Sequence, residues 1–343
     1  MIESKKNLKV VIPCRNEVNN IEECVNSVIQ ACQNTDLNAN IYIVDGKSDD
    51  GTLAVIAKLS EKYPNVHLVV NEHQLTPYAF NLGIKTESPF DYLAIVGSRH
   101  VLSSNYFSEA VAALSQNPEI WCVGGRVDNV YSDEQGKITA QAMGTSFGMG
   151  LGNFRAVEKS GFVDTVGTPV YPAWVFEKIG YFDNDLTRNQ DDEFNFRVTK
   201  AGGKIFYIHH ISVQYYVRAN RKQLKKQFAQ YGYWKVFVNR KHKSVTTLRQ
   251  LIPPLFVLYL MLLPFPFLFS WVAGLIGAVP LVLYFIMSFL VSVKQATSVN
   301  EFFQFFRIFP VIHISYGMGY LKGIMHFMIL NRKPSQKANQ LTR

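Results

Sequence analysis

Residues 251–293 carry no charged side chain, and this run of 43 apolar-biased residues is about twice the roughly 20 that a helix needs to cross a bilayer. In hydrocarbon every backbone N–H and C=O has to be satisfied within its own segment, so such a run folds as helix. Its length predicts a hairpin of two membrane helices. Pro253, Pro254, Pro264 and Pro266 make the first arm irregular, and Gly274 and Gly277 fall just past the turn. A buried pair of core helices is the competing reading, and it fits this length poorly.

Charge orients the hairpin. Between Arg218 and Arg249 there are ten Lys or Arg and no acid, so this one stretch exceeds the net charge of +9 and the rest of the chain sums to −1. A polybasic segment directly before a span stays on the cytosolic side. The expected organisation is a cytosolic domain over residues 1–217, a polybasic interfacial helix over 218–249, a transmembrane hairpin over 250–293, and a membrane-surface or re-entrant segment over 294–343. The setting would be an inner or plasma membrane. His313, Lys322 and His326 interrupt the last segment. A third span there would carry Arg332, Lys333, Lys337 and Arg343 to the outside, against the positive-inside rule.

The first 217 residues hold 18 basic and 25 acidic side chains, which argues against nucleic acid as a partner. Cys14, Cys24, Cys32 and Cys122 show no CxxC spacing, and the last three fall at predicted core positions, so neither a zinc site nor a disulfide framework is expected. The N-terminus lacks the apolar core of a secretory signal. A buried-type strand is predicted over residues 9–13. A helix follows in which Ile21, Cys24, Val25, Val28, Ile29 and Cys32 repeat at helical spacing, with Asn19 or Asn20 as cap. A second strand over 41–44 runs into Asp45-Gly46-Lys47-Ser48-Asp49-Asp50-Gly51-Thr52 and another helix. Strand 66–70, a helix opening at Pro77 and strand 92–96 continue the alternation, which predicts a parallel α/β sheet. Ligands bind such sheets beyond the carboxyl ends of the strands, where residues 13–17 and 45–50 fall. No GxGxxG follows the first strand and no GxxxxGK[ST] occurs, so neither a dinucleotide nor a P-loop is expected.

The densest charge is Asn189-Gln190-Asp191-Asp192-Glu193-Phe194-Asn195-Phe196-Arg197, where three carboxylates open a predicted amphipathic helix. Acids at a helix start satisfy free N–H groups and favour the dipole. Glu193 and Arg197 pair at i, i+4. That leaves Asp191 and Asp192, either as exposed caps or with one of them a general base.

These pieces carry a resemblance. Val11-Ile12-Pro13-Cys14-Arg15-Asn16-Glu17 resembles the opening "VxIPxRNE" of the family 2 glycosyltransferases, and residues 44–52 resemble their "VDGxSxDGT". Ala79-Phe80-Asn81-Leu82-Gly83-Ile84 is similar to "AxNxGI", Gly180-Tyr181-Phe182-Asp183 to "GxFD", and Gln190, Asp191 and Arg197 keep the interval of "EDxxxxxR". The match runs through nearly the whole chain and looks most like the membrane-anchored succinoglycan-biosynthesis branch. It implies a GT-A, Rossmann-like domain that moves a sugar from a nucleotide-sugar donor with inversion. Asp191 would be the base and Asp45 a contact to the donor nucleotide, with Pro13, Arg15, Glu17, Asn81, Gly97, Ser98 and Arg99 completing the donor site. Asp45 read by itself is equally a turn-forming Asp before Gly.

The leaving diphosphate needs a cation, and the resemblance implies one divalent ion, Mn²⁺ or Mg²⁺. Here the chain departs from the pattern. Relatives carry Asp-x-Asp or Asp-Ala-His after the fourth strand, whereas this chain has Gly97-Ser98-Arg99-His100. His100 is the candidate ligand, with His209 or His210 arriving from a later strand. Arg99 offers a metal-free alternative, since a guanidinium binds diphosphate in fork geometry.

Residues 141–172 read as a loop, broken by Gly144, Gly148, Gly150 and Gly152, and are either a connection or an acceptor-facing wall before Trp174. The segment Gln227-Phe228-Ala229-Gln230-Tyr231-Gly232-Tyr233-Trp234 resembles the branch's "QyfrYGxW". With Asp192 and Trp174, its Gln227, Tyr231 and Trp234 are expected acceptor contacts, although an interfacial helix explains the same aromatics. The reading is an enzyme with a UDP-linked donor and a lipid-linked saccharide acceptor, acting in exopolysaccharide or cell-envelope assembly alongside other assembly proteins. The rivals are a non-catalytic membrane partner of the same fold, suggested by Gly97, Gln190 and Gln230, and a sugar nucleotidyltransferase, whose Gly-rich basic first loop is missing.

Overall fold

The computed structural model describes residues 5–131, 133–150, 157–216, 221–246 and 248–334. Gly152, Arg218 and the basic residues Lys337 and Arg343 lie outside the described residues. In chain order the elements are β1 (Asn7–Cys14), α1 (Ile21–Gln33), β2 (Asn38–Asp45), α2 (Thr52–Lys62), β3 (Val66–Val70), α3 (Thr76–Ile84), β4 (Tyr92–Ile95), β5 (His100–Leu102), α4 (Tyr106–Gln116), β6 (Ile120–Val130), α5 (Glu134–Gly144) and α6 (Ser146–Met149). Then come β7 (Gly161–Val163), β8 (Gly167–Pro172), α7 (Trp174–Ile179), α8 (Gln190–Lys200), β9 (Lys204–Tyr216), α9 (Arg221–His242), α10 (Ile252–Leu262), α11 (Phe265–Phe269), α12 (Trp271–Gln295) and α13 (Val299–Gly323). They form two compact units, one of Met1–Asn129 with Val157–Tyr216 and one of Val130–Ala156 with Val217–Arg343. The sequence reading carries one domain unbroken to residue 217, whereas residues 130–156 group with the C-terminal helices.

In the first unit the strands run in the order β3-β2-β1-β4-β8-β6-β9-β5, with β7 on β9. β1 pairs in parallel with β2 and β4, and β2 with β3. Val10, Val11, Ile12, Ile41, Ile43, Leu93 and Ala94 are fully buried, as expected for strands covered on both faces by βα crossovers. All four cysteines are free and buried, Cys14 included. Asn20 stands at the α1 N-cap without a side-chain cap bond; its amide donates to Glu17 Oε2 instead. Lys9 is buried on β1, where its ammonium donates to the carbonyls of Ile84 and Thr86 at the end of α3.

Residues 167–172, read as loop from Gly167, Pro169 and Pro172, form the central strand β8, antiparallel to both β4 and β6. Proline removes a ladder donor and is tolerated in sheets at bulges. The β6–β8 register does shift between Val123 and Gly125, opposite Pro169. Glycines 144 and 148 likewise lie in helix, since α5 ends at Gly144 and α6 starts two residues later on a Thr145 cap to Gly148, while Gly150 ends α6 at φ 86°.

The second unit is built on α9 and α13. The sequence predicts a polybasic interfacial helix over 218–249; the second half of α9 is largely buried, with Trp234 fully so and Tyr233, Lys235, Val236 and Val238 beside it. Its partner α13, within the segment expected to be membrane-surface or re-entrant, is a continuous helix ending in a π-helical turn, Ile324–Ile329. Glycines let the two backbones touch. A Cβ on Gly232 would lie 2.1 Å from the Tyr316 carbonyl oxygen, and one on Gly319 would lie 2.0 Å from that of Ala229.

Leu248–Phe269 and Trp271–Gln295 are each long and apolar enough to cross a membrane. Leu268, Phe269 and Trp271 are 79%, 87% and 73% exposed, an outward apolar face that lipid would cover. Pro280 interrupts α12. There the Tyr259 hydroxyl of α10 donates to the Gly277 carbonyl and accepts from the Leu281 amide. It inserts into the i to i−4 ladder that the proline opens, so these groups stay satisfied where water is absent.

Candidate active site

At the carboxyl ends of β1, β2 and β4 the chain folds three short loops against each other. Asp45 ends β2 and is buried, and both its carboxylate oxygens accept from Ser48: the amide at 3.0 and 3.1 Å, the hydroxyl at 2.6 Å. Ser48 Oγ in turn accepts from the Asn16 amide, and the Asn16 and Asp49 groups bond reciprocally. Glu17 N donates to Thr52 Oγ1, and Val18 N to Asp50. Burial works to raise the Asp50 carboxyl, but the Thr52 hydroxyl and amide and the Val18 amide outweigh it and hold Asp50 below the usual range. The loops after β1 and β2 are thereby zipped together. Asn16 (φ 54°) and Lys47 (φ 58°) take left-handed conformations to do it, at small cost for Asn and more for Lys.

The third loop, residues 96–100, turns back at Gly97, with His100 N donating to its carbonyl. Arg99 Nε donates to both oxygens of Glu17, at 2.8 and 2.9 Å. His100 sits 2.7 Å from Thr168 Oγ1, and Gly97 N donates to its Nδ1. Thr168 has φ 49°, a strained state for a β-branched residue. It is held there by Tyr106, whose hydroxyl donates to the Thr168 carbonyl while accepting from Gly125 N. The sequence reading missed Thr168 and Tyr106, because nothing local marks a Tyr on α4 as the anchor of a residue 62 positions away.

The expected donor residues divide. Arg15, Glu17, Asp45, Ser98 and Arg99 come together at this edge, with Arg15's stem against Gly46. Pro13 is a strand residue paired with Val44. Asn81 is buried in α3, where its side chain accepts from Phe182 N and donates to Phe182 O and Asn184 Oδ1. It clamps the segment leading into α8 and is not a donor contact. Cys14 lies beside the site, but burial, then Asp45 and Glu17, push its thiol up, so it is no nucleophile.

α8 starts on Asn189 in the left-handed region, with Asp191 exposed and Asp192 half-buried. Glu193 is buried and paired with Arg197, whose other nitrogens donate to the carbonyls of Ile179 and Tyr181. Asn195, one turn after Asp191, donates to Thr165, just before β8 begins, and accepts from Tyr171. The start of β8 is level with the end of β4, so the first turn of α8 is directed to the same sheet edge as Asp45. Trp174 is not. It follows Pro172, which pairs with Tyr92 at the amino end of β4, and its ring meets Trp121 there. Trp234 is core of the second unit, and Gln227 is buried and spends its amide on the Tyr231 hydroxyl. The expected acceptor contacts at Trp174 and Trp234 are therefore withdrawn, and Gln227 is a packing residue.

A mixed α/β sheet with an acid closing β2 and a second acidic cluster at the same edge is the arrangement that the resemblance to GT-A sugar transferases implies. The comparisons agree. Residues 9–169 match the family model described as Glycosyl transferase family 2, and the chain is a glycosyltransferase carrying a family 2 domain. It is 26% identical over 329 residues to a dolichyl N-acetyl-α-D-glucosaminyl phosphate 3-β-D-2,3-diacetamido-2,3-dideoxy-β-D-glucuronosyltransferase of Methanococcus voltae, covering 93% of this chain and 97% of that one. It is 27% identical to the succinoglycan biosynthesis protein ExoA of Rhizobium meliloti, over 71% and 73% of the two chains. Among solved structures, a mannosyltransferase of Pyrobaculum calidifontis, determined with GDP-Man and Mn²⁺, superposes with a TM-score of 0.59 at 12% identity, over 94% of this chain and 88% of that one.

Residues 97–100 do not fit the divalent ion implied by the family. Both Gly97 N, at 3.3 Å, and Thr168 Oγ1, at 2.7 Å, engage the same ring nitrogen of His100, Nδ1, so that nitrogen is committed within the protein. The ring also fills the space of the missing acid, since a Cβ on Gly97 would meet its Cε1 at 3.0 Å. His209 and His210 do not help. Tyr215 is the β9 partner of His100, so they lie about 16 Å or more along the strand, engaged with Arg126 and Glu109. Among the described residues no group of three or more His, Cys, Asp or Glu could hold a metal. His100 thus anchors Gly97 and Thr168 through Nδ1.

Proposed function

We propose that this enzyme transfers one sugar, with inversion, from a UDP-linked donor to a lipid-linked saccharide at the cytosolic face of a membrane, in exopolysaccharide or cell-envelope assembly. The observation that carries the reading is the placement of Asp45 and of the Asp191 turn at one sheet edge. Asp45 accepts from two donors, the amide and the hydroxyl of Ser48, out of the roughly four a carboxylate can accept; the capacity left suits a ribose hydroxyl or a uracil N–H. Asp191, exposed on the first turn of α8, takes the proton of the acceptor hydroxyl as that oxygen bonds the anomeric carbon. The bond from that carbon to the diphosphate breaks, and the nucleoside diphosphate leaves.

The lipid-linked acceptor is supported by the dolichyl phosphate in one relative's name and by two helices long and apolar enough to cross a membrane, which would hold the domain near a lipid-borne substrate. A polybasic α9 directly before them supports the cytosolic side. The test offers membranes containing the full chain a panel of labelled nucleotide sugars and extracted polyprenyl-linked saccharides. Label should enter the organic phase, from UDP sugars, with inverted anomeric configuration by NMR. Label confined to water-soluble product would end the lipid-acceptor reading, and transfer only from GDP sugars would end the UDP assignment.

A further inference from the structure

We propose that the donor diphosphate is held by Arg99, oriented by Glu17, and that this contact stands where a divalent ion stands in a typical relative. The inference rests on the reading that a nucleotide sugar binds at the carboxyl edge of the sheet. Three observations carry it. Gly97 supplies no carboxylate, and the His100 ring crowds it, since a Cβ at 97 would lie 3.0 Å from the ring's Cε1. His100 Nδ1 is an acceptor for Gly97 N–H and a neighbour of Thr168 Oγ1, which fixes the ring as a structural anchor. Arg99 lies between them on the same turn and is pinned through one nitrogen only: Nε donates to both Glu17 oxygens. Its two terminal nitrogens bond none of the described residues.

The geometry suits a diphosphate. A guanidinium offers five donors in a planar fork, and a bidentate contact to phosphate is made by two nitrogens at once. Glu17 takes the Nε–H, fixing the plane of the fork, and leaves the Nη1 and Nη2 edge for the ligand. The side chain is 30% exposed and Glu17 13%, so the pair is ordered before a ligand arrives yet open to one. Because Glu17 offsets much of the charge, the gain comes from directed, charge-assisted hydrogen bonds more than from net charge. Arg15, packed on Gly46 at the same edge, adds a second cation. When the sugar–phosphate bond breaks, the new negative charge forms on the diphosphate oxygen, and the fork is preorganised toward it. Glu17 is thus a positioning residue and Arg99 the donor-binding one.

The test measures calorimetric binding of UDP, with uridine as phosphate-free probe, to the purified full chain in detergent, with EDTA and with added Mn²⁺. UDP should bind equally well in EDTA. Arg99→Ala should weaken UDP by about ten- to a hundredfold, the scale of lost charge-assisted hydrogen bonds, and leave uridine binding unchanged, which also reports that the site is still folded. Arg99→Lys keeps charge without the fork and should fall between. UDP binding that vanishes in EDTA, or that survives Arg99→Ala undiminished, would overturn the proposal while leaving the donor-site reading intact. If uridine and UDP both failed to bind the wild-type chain, the UDP-sugar reading would fall, and the proposal with it.

Discussion

Three adjacent carboxylates at the start of α8 do different work, and burial separates them. Glu193 is buried against Arg197, which also ties down the carbonyls of residues 179 and 181. That pair fixes the approach to the helix, much as Asn81 does from α3. Asp191 is exposed, where an acceptor hydroxyl can reach it, and Asp192 is half-buried. Asp191→Asn should therefore lower turnover by about a hundredfold or more, the scale of a lost general base, with UDP binding unchanged, while Asp192→Asn costs less. Labelled-sugar transfer by the two variants checks this; equal losses would take Asp191 out of the role. The i, i+4 pairing of Glu193 with Arg197 was legible from spacing alone. The role of Asn81 was not, because its partners lie about a hundred residues away and no local pattern announces them.

Strands β1 to β4 were legible because each centres on a short apolar, β-branched or aromatic stretch between turn-forming residues. β8 was not, since two prolines and a glycine in six residues read as loop until the bulge opposite Pro169 is seen. The contact of α9 with α13 was hidden for the same reason as Asn81: Gly232 and Gly319 mean nothing in isolation and become close-packing sites only when paired. Alanine in a helix interior is ordinarily favoured over glycine by about 0.5–1 kcal/mol. Here the added Cβ would lie about 2 Å from a backbone oxygen, so Gly232→Ala and Gly319→Ala should each destabilise by about 1–3 kcal/mol or more. Thermal melting in detergent measures this against Gly144→Ala, where nothing lies within 4 Å and little change is expected.

Along the same helix Glu301 is paired with Lys137 and bonded by Thr297. The Lys137 bond, then those from Thr297, hold its carboxyl down at about 2, against an ordinary 4.5. A depressed carboxylate stabilises the fold above its unfolded value and loses that contribution as pH falls. The melting difference between wild type and Glu301→Gln should thus be full above about pH 4.5 and shrink steadily as pH falls toward 2. A difference independent of pH over that window would assign the effect to packing and not to charge.

At the scale of the whole chain, the missing charge of residues 251–293 falls on helices long and apolar enough to cross a membrane, and the boundary expected at 217 meets a division that is discontinuous in sequence. The chain leaves the first unit at Asn129 and re-enters it at Val157, so α5 and α6 are an excursion into the helical unit. The apolar face of α5, with Ile138, Ala142 and Met143, belongs to a cluster completed by Leu224, Phe228, Phe305, Ile308, Phe309 and Ile312. A fragment of residues 1–216 keeps that face and removes the α9 and α13 residues that cover it. Expressed alone, it should therefore fold its sheet and still bind UDP, yet self-associate, because an uncovered apolar helix face is a docking surface for another copy. Replacing residues 130–156 by a short Gly/Ser linker should return a monomer with the same UDP affinity. Light scattering of the two fragments decides it: a monodisperse 1–216 fragment would show that α5 and α6 do not depend on the C-terminal helices, and would restore the simpler boundary at 217.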